Sequence, residues 1–276
     1  MEEHVSPITQ WFNHIFAPIA LSLLHALHIQ PADYDTPIPE YVVMSLIVLV
    51  VCTILALIVR ARLSVERPGA LQQAAELLLT NPLGFGIKDL LEENVAHGGD
   101  KFIAFTGSIS IFILLSNLLS VFPSFSAPTA VVVVPLACAS LTFIYFNWQG
   151  LRHHGVGNYL LTFAGSPKTA ADFALAFLLF PVELISTAAR LLSLTVRLWA
   201  NIFASDLLYT IFLSLLVKLT FFAWGKFAVL GAVLAILPVA VPMAFIGLHI
   251  FVAIIQSYVF TVLPSIYLGI ATADEH

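Results

Sequence analysis

An arginine, an asparagine and an aspartate stand in one of the most apolar stretches of the sequence, residues 192–208 (LSLTVRLWANIFASDLL). Arg197 has apolar sequence on both sides, Asn201 follows it by one helical turn on the same face, and Asp206 lies nine residues on, towards the opposite face. An ionisable side chain inside a membrane helix costs roughly 2.5–3.5 kcal/mol and by default marks an ion pathway or a charged partner. The stretch therefore predicts a functional guanidinium, since arginine stays charged when it is desolvated.

Four other polar residues stand at helical spacings that relate them to the arginine or to one another. Ser193 lies one turn before Arg197, and Glu183, fourteen residues before it, returns to within about 40° of the same face. In the last apolar stretch His249 and Gln256 are seven residues apart, so they share a face two turns deep.

These spacings combine if the last two apolar stretches form an antiparallel hairpin. With a turn at Gly225–Lys226, Gln256 comes within a turn of the residue opposite Arg197, and His249 about a turn from the residue opposite Asp206. The hairpin would then carry polar patches at different depths with a fixed positive charge between them. A continuous pore would not need that arginine, whereas a path interrupted in the middle would.

The composition is that of a membrane protein. Of 276 residues 60% are hydrophobic and 10% are charged, against about 25% charged residues in soluble domains. The alternating segments of a transmembrane barrel are absent from the sequence, and no basic run indicates nucleic-acid binding. We expect no cofactor and no metal site, because His153 and His154 are two neighbours on one loop without further converging ligands.

The apolar runs, near 20 residues long, predict an all-α polytopic membrane protein. Residues 1–40 are expected to form an extracytoplasmic segment with an interfacial helix at 8–29, although that run could also span. Residues 41–276 are expected to form a single membrane domain. Its ordinary spans are predicted at about 41–59, 102–122 and 129–149, a cytoplasmic-surface amphipathic helix broken at 81–86 is predicted at 70–95, and two long apolar stretches follow at about 170–217 and 227–270.

The two long stretches leave two arrangements open. Each could hold two ordinary spans, or one helix of some 65–70 Å at ~1.5 Å per residue, which would have to lie strongly tilted in the bilayer. Arg190 and Lys218 are interpreted as basic side chains that snorkel to the interface. Five acidic residues and no lysine or arginine precede Arg60, so the N-terminus is expected outside and the C-terminus in the cytoplasm.

Four segments resemble the subunit a family of F-type ATP synthases, the membrane stator that faces the rotating c-ring. RLWANIFASDLL (197–208) is similar to the family's arginine helix, and IGLHIFVAIIQSYVFTVLPSIYLGIA (246–271) to its last helix. RPGALQQAAELLL (67–79) and FILLSNLLSVFP (112–123) are similar to the cytoplasmic helix and the following span. The resemblance covers roughly residues 41–272.

The resemblance implies that the last two stretches form a long tilted hairpin facing the c-ring, and it implies a role for each polar residue. The implied positions are Arg197 for the essential arginine, Ser193, Asn201 and Gln256 for the residues that support it, Asp206 and His249 for the outer half-channel, and Glu183 for the cytoplasmic half-channel.

The sequence departs from the family pattern near the outer half-channel. Ala200 precedes the asparagine where the family often has glycine, and Ser205 precedes Asp206 in the same way. Ser120 stands where the family often has an aspartate after the Asn-Leu of the earlier span. The segment AVVVVP (130–135) lacks the polar side chains that the family often carries there. We therefore expect the outer half-channel to rely more on the last two helices, with water filling the gap.

The implied function is ion translocation coupled to c-ring rotation and ATP synthesis, with proton the expected ion and sodium left open. The implied partners are the c-ring, the b-subunit peripheral stalk and the rest of the synthase, in the bacterial inner membrane. The chain is expected to be non-catalytic, since it has no P-loop. A secondary transporter would show an internal repeat and paired broken helices, and a membrane hydrolase would show a G-x-S-x-G or H-E-x-x-H motif; the sequence shows none of these.

Overall fold

The computed structural model describes residues 6–28, 30–31, 33–81, 84–95, 98–122, 125–165, 170–226 and 237–273. Every regular element in these residues is helical, which confirms the all-α prediction. The α-helices are α1 (Pro7–Ala26), α2 (Glu40–Ala61), α3 (Ala70–Leu79), α4 (Ile87–Asn94), α5 (Ile103–Leu119), α6 (Val133–His154), α7 (Val156–Phe163), α8 (Ala170–Lys226) and α9 (Leu237–Thr272), with 3₁₀ turns at Gly99–Phe102 and Pro128–Ala130.

Four of the described helices are long and apolar enough to cross a membrane. They are α2, α5 together with its leading 3₁₀ turn, and the greater part of α8 and of α9. The helices α1 and α6 are not among them. The interfacial helix expected at residues 8–29 and the span expected at residues 129–149 both stay predictions.

Each of the two long apolar stretches is a single helix over the described residues. The helix α8 has 57 residues and α9 has 36, so neither is broken into two ordinary spans. The apolar part of α8 alone has 48 residues, about 70 Å of helix, against a hydrocarbon core of roughly 30 Å. Such a helix stays within the core only at a strong tilt. The helix α8 also continues through Lys226, so the turn expected at Gly225–Lys226 was wrong.

The chain divides into two compact units, which are described separately. Unit 1 comprises Met1–Cys52, Leu114–Val131 and Trp199–Ile255, and unit 2 comprises Thr53–Ile113, Val132–Leu198 and Gln256–His276. In unit 1, α1 is tied to the segment before α2 by the buried Asn13. Its amide nitrogen donates to the carbonyl of Ile38 and its amide oxygen accepts from the Ile38 N–H, both at 3.0 Å.

Unit 2 is built around an apolar cluster to which the helices α4, α6, α7 and α9 contribute. Leu91 and Leu268 are almost completely buried at its centre, with Phe102 and Phe146 packed around them. Helix α9 approaches α4 so closely at Gly269 that a Cβ there would collide with the carbonyl of Asn94.

Buried hydroxyl groups join α5 to α9 within unit 2. The Ser110 Oγ lies 2.9 Å from the Ser257 Oγ and 2.8 Å from the Thr261 Oγ1. Small hydroxyl residues let membrane helices approach and hydrogen-bond across their interface. These contacts, with the glycine contact to α4, fix the last helix in unit 2.

Candidate functional site

A cavity of about 280 Å³ in unit 1 contains the predicted outer residues Asp206 and His249. The chain lines it from three places: the end of α5 and the turn after it, the middle of α8, and the first half of α9. The lining residues are Ser120, Val121, Phe122, Phe125, Ser205, Asp206, Tyr209, Phe245, Ile246 and His249. The structure therefore brings together the acid and the imidazole that the sequence paired.

His249 is the centre of this cavity's hydrogen bonding, and its side chain is buried at 7% exposure. Its Nδ1 lies 2.9 Å from the Ser205 Oγ and 3.8 Å from the Asp206 Oδ1. Its Nε2 lies 2.9 Å from both the Ser120 Oγ and the carbonyl oxygen of Asn117. Both ring nitrogens thus have polar partners, and the half-exposed Asp206 is a carboxylate within ion-pair distance.

The pairing of α8 and α9 in unit 1 is antiparallel, but its register differs from the predicted one. Ser205 contacts His249, and further along α8 the ring of Phe212 packs 5.2 Å from that of Phe245. His249 itself therefore stands opposite Asp206, rather than one turn away. The shift of about one turn follows from the continuation of α8 through the position assigned to the turn.

The two serines that depart from the family pattern are the residues that hold His249. Ser205 comes from α8, and Ser120 follows the end of α5, so a residue from outside the last two helices also takes part in this site. The same region is organised by Asn117, whose side-chain oxygen accepts a 2.6 Å hydrogen bond from the Thr129 Oγ1. The signal in the sequence was the SNLLS segment (116–120), where Asn117 and Ser120 are three residues apart on one helical face.

Glu183 lies in unit 2, where its carboxylate is paired with Arg190. The Glu183 Oε1 is 3.1 Å from the Arg190 Nη2, and the guanidinium carbon of Arg190 lies 5.3 Å from the ring centroid of Tyr267. These groups border a smaller cavity of about 120 Å³, together with Tyr159 and Thr187.

The interpretation of Arg190 as a snorkelling side chain was wrong. Its side chain is only 24% exposed and is engaged by a carboxylate and an aromatic face. The seven-residue spacing from Glu183 places both on one face of α8 two turns apart, and that spacing was readable in the sequence. Sequence reasoning missed Arg190 because it judged the residue alone.

Arg197 presents its side chain on the exposed face of α8. Its guanidinium donates one weak hydrogen bond, 3.4 Å long, to the Ser193 Oγ one turn back. The opposite face is buried, with Leu194 and Leu198 at 1% and 0% exposure. Asn201, one helical turn after Arg197 on the same face of α8, is exposed as well.

No ion pair of Arg197 occurs among the residues that the structure describes. Gln256, expected to support it, is buried at 3% exposure, and its Oε1 has no hydrogen-bond donor within the described part of the chain. The support by Gln256 therefore stays a prediction. A guanidinium exposed on an apolar helix without an internal counter-ion calls for an anionic group from outside the described residues.

Many curated proteins have amino-acid sequences similar to that of this chain. The sequence profile of the family described as ATP synthase A chain matches residues 42–269. The chain is 40% identical over 240 residues to the ATP synthase subunit a of Solibacter usitatus (strain Ellin6076), covering 87% of this chain and 90% of the relative. It is 34% identical over 268 residues to that of Koribacter versatilis (strain Ellin345), covering 97% of both.

Proposed function

The chain belongs to the ATP synthase A chain family, and from this premise we propose that it is the stator of the ion path: it provides two offset half-channels to and from the c-ring carboxylates, separated by Arg197. The family match and the bacterial relatives indicate a subunit of the membrane sector of a bacterial ATP synthase. The observation that carries the proposal is the exposed guanidinium of Arg197, which lacks an internal counter-ion among the described residues. A carboxylate on a c-subunit supplies the missing charge.

The role of Arg197 follows from the electrostatics of a carboxyl group in lipid. Away from the stator, desolvation keeps the c-subunit carboxyl protonated. When the ring brings it opposite Arg197, the positive charge favours the carboxylate, and its proton leaves to the cytoplasmic half-channel. After the ring moves on, the carboxylate takes up a proton from the outer half-channel. The arginine also repels protons that would pass directly from one half-channel to the other.

The outer half-channel is assigned to the unit 1 cavity. Asp206 and His249 are the groups in it that can accept and donate protons, and the cavity of about 280 Å³ has room for several waters. The cytoplasmic half-channel is assigned to Glu183 in unit 2, with Arg190 as the residue that orients it. From the absence of lysine and arginine before Arg60, we propose that the N-terminus lies outside and the C-terminus in the cytoplasm.

The proposed partners are those of a non-catalytic stator. The exposed face of α8 around Arg197 meets the c-ring, the b-subunit peripheral stalk holds the subunit against rotation, and the ATP chemistry takes place in other subunits. Ser193 and Asn201 line the same face and support the arginine from one turn before and one turn after. The driving force for a proton through this path is about 2.3 kcal/mol per 100 mV.

Disulfide cross-linking tests which face of α8 meets the ring. In a background with Cys52 and Cys138 replaced, Ser193→Cys or Asn201→Cys is paired with a cysteine beside the c-subunit carboxylate. We expect a cross-link that blocks ATP-driven proton pumping in assembled complexes. The matched controls Leu194→Cys and Ile202→Cys sit on the buried face and should not cross-link. Cross-links from the buried face alone would contradict the proposal.

A further inference from the structure

The hydrogen bonds of His249 distinguish its two ring nitrogens. The Nε2 faces a carbonyl oxygen, that of Asn117, at 2.9 Å. A carbonyl can only accept a hydrogen bond, so Nε2 must carry a hydrogen; the other tautomer would bring two lone pairs together. The Ser120 hydroxyl is consistent with this, because it donates to the same Asn117 carbonyl at 3.2 Å and leaves its oxygen facing Nε2–H at 2.9 Å.

The opposite nitrogen, Nδ1, faces a hydroxyl and a carboxylate instead of a carbonyl. In neutral His249 the Nδ1 holds a lone pair and accepts from the Ser205 hydroxyl at 2.9 Å. The Asp206 carboxylate lies 3.8 Å from the same nitrogen and can neutralise an imidazolium. Ser205 and Asp206 line the cavity, so its water reaches this side of the ring. Ser120 lines the cavity on the Nε2 side, but its hydroxyl proton is directed to the Asn117 carbonyl.

We infer that His249 takes up and releases its proton at Nδ1 alone, through the hydroxyl of Ser205, while the carbonyl of Asn117 holds Nε2–H in place. The inference rests on the proposed function, since it describes one step within the outer half-channel. It makes Ser205, which the family resemblance presents only as a departure, a relay residue. It makes Asn117 and Ser120 positioning residues.

The proton transfer balances at Ser205. A hydronium ion in the cavity gives a proton to the Ser205 oxygen as the hydroxyl proton moves to Nδ1, so the serine ends as a neutral hydroxyl and the ring as an imidazolium. Release reverses these transfers towards water or the Asp206 carboxylate. A proton does not pass through the ring from one nitrogen to the other, because the Asn117 carbonyl beyond Nε2 is no proton carrier and the Ser120 hydroxyl proton is directed to that same carbonyl.

The chain offers a matched pair of variants to test this, since Ser205 and Ser120 lie at the same 2.9 Å from the two nitrogens. The measurement is the proton-pumping rate of the whole synthase in inverted vesicles, divided by its ATPase rate. We expect Ser205→Ala to lower the ratio about tenfold, the effect of losing one well-placed hydrogen bond, and Ser205→Thr to restore most of it. Ser120→Ala should cause a loss of only about twofold, because the Asn117 carbonyl still holds Nε2–H.

A larger loss in Ser120→Ala than in Ser205→Ala, equal losses, or no loss in either would overturn the inference. Nitrogen-15 NMR of the labelled complex gives a second readout, with His249→Gln identifying the signals. Neutral His249 should show a protonated Nε2 and an unprotonated Nδ1 in the wild type and in Ser205→Ala; the reverse pattern would also overturn it. Failure of the proposed function itself would appear elsewhere, as ATP synthesis that survives loss of Arg197.

Discussion

Glu183 and Arg190 form an ion pair along one face of α8, with 3.1 Å between the carboxylate and the guanidinium. The guanidinium also lies over the ring of Tyr267, 5.3 Å from its centroid. The acid assigned to the cytoplasmic half-channel is therefore held by a cation, which is itself held by an aromatic side chain from α9. This arrangement orients the carboxylate.

The first prediction concerns Tyr267. Replacing it by Leu removes the aromatic face under Arg190, a contact worth ~1 kcal/mol, and should lower coupled proton pumping about fivefold because Glu183 loses its orientation. Tyr267→Phe keeps the ring and should retain most of the activity. Pumping rates in inverted vesicles separate the two. If Phe and Leu variants lose activity alike, the hydroxyl rather than the ring face would be the part that matters.

The second prediction concerns the approach of α9 to α4. Gly269→Ala places a Cβ against the Asn94 carbonyl, and overpacking of this kind costs about 1–3 kcal/mol. We expect a lower thermal unfolding temperature of the detergent-solubilised complex. Gly247→Ala in the same helix meets nothing within 4 Å, so it should leave the temperature unchanged or raise it slightly. Equal behaviour of the two variants would contradict the close packing at Gly269.

The third prediction concerns the attachment of α1. Asn13→Ala leaves the N–H and carbonyl of Ile38 without their side-chain partners, a loss of about 1–3 kcal/mol. Faster protease cleavage of the segment between α1 and α2 in intact membranes is the expected result. The neighbouring variant His14→Ala changes an exposed side chain and serves as the control. Unchanged cleavage of Asn13→Ala would show that other contacts hold α1.

The sequence predicted the helices and the antiparallel pairing of α8 with α9 better than it predicted the register of that pairing. The apolar runs located the long apolar helices α2, α5, α8 and α9, because length and hydropathy are local properties. The pairing of Asp206 with His249 was also predicted, since both fall in the last two helices at compatible depths. Their register was wrong by about one turn, because it depended on the position of a turn that no glycine–proline signal fixed.

The contacts that the sequence did not predict lie between elements far apart in the chain. Ser120 and His249 are 129 residues apart, and their contact depends on how the end of α5 meets α9 in unit 1. Neither serine is ionisable, so neither attracted a functional interpretation. The contact of Arg190 was missed for a different reason, since its partner Glu183 is only seven residues away in the chain. The prediction for Arg190 considered only its nearness to an assumed helix end.

The central claim is that Arg197 is required for coupling ion flow to ATP synthesis, and its removal tests that claim most directly. The measurement is ATP synthesis driven by an imposed proton gradient, in vesicles that carry Arg197→Ala and contain normal amounts of assembled complex. Lys218→Ala, which removes another exposed cation of α8, is the control and should synthesise ATP normally. We predict that Arg197→Ala abolishes synthesis. Synthesis at the control rate would contradict the account.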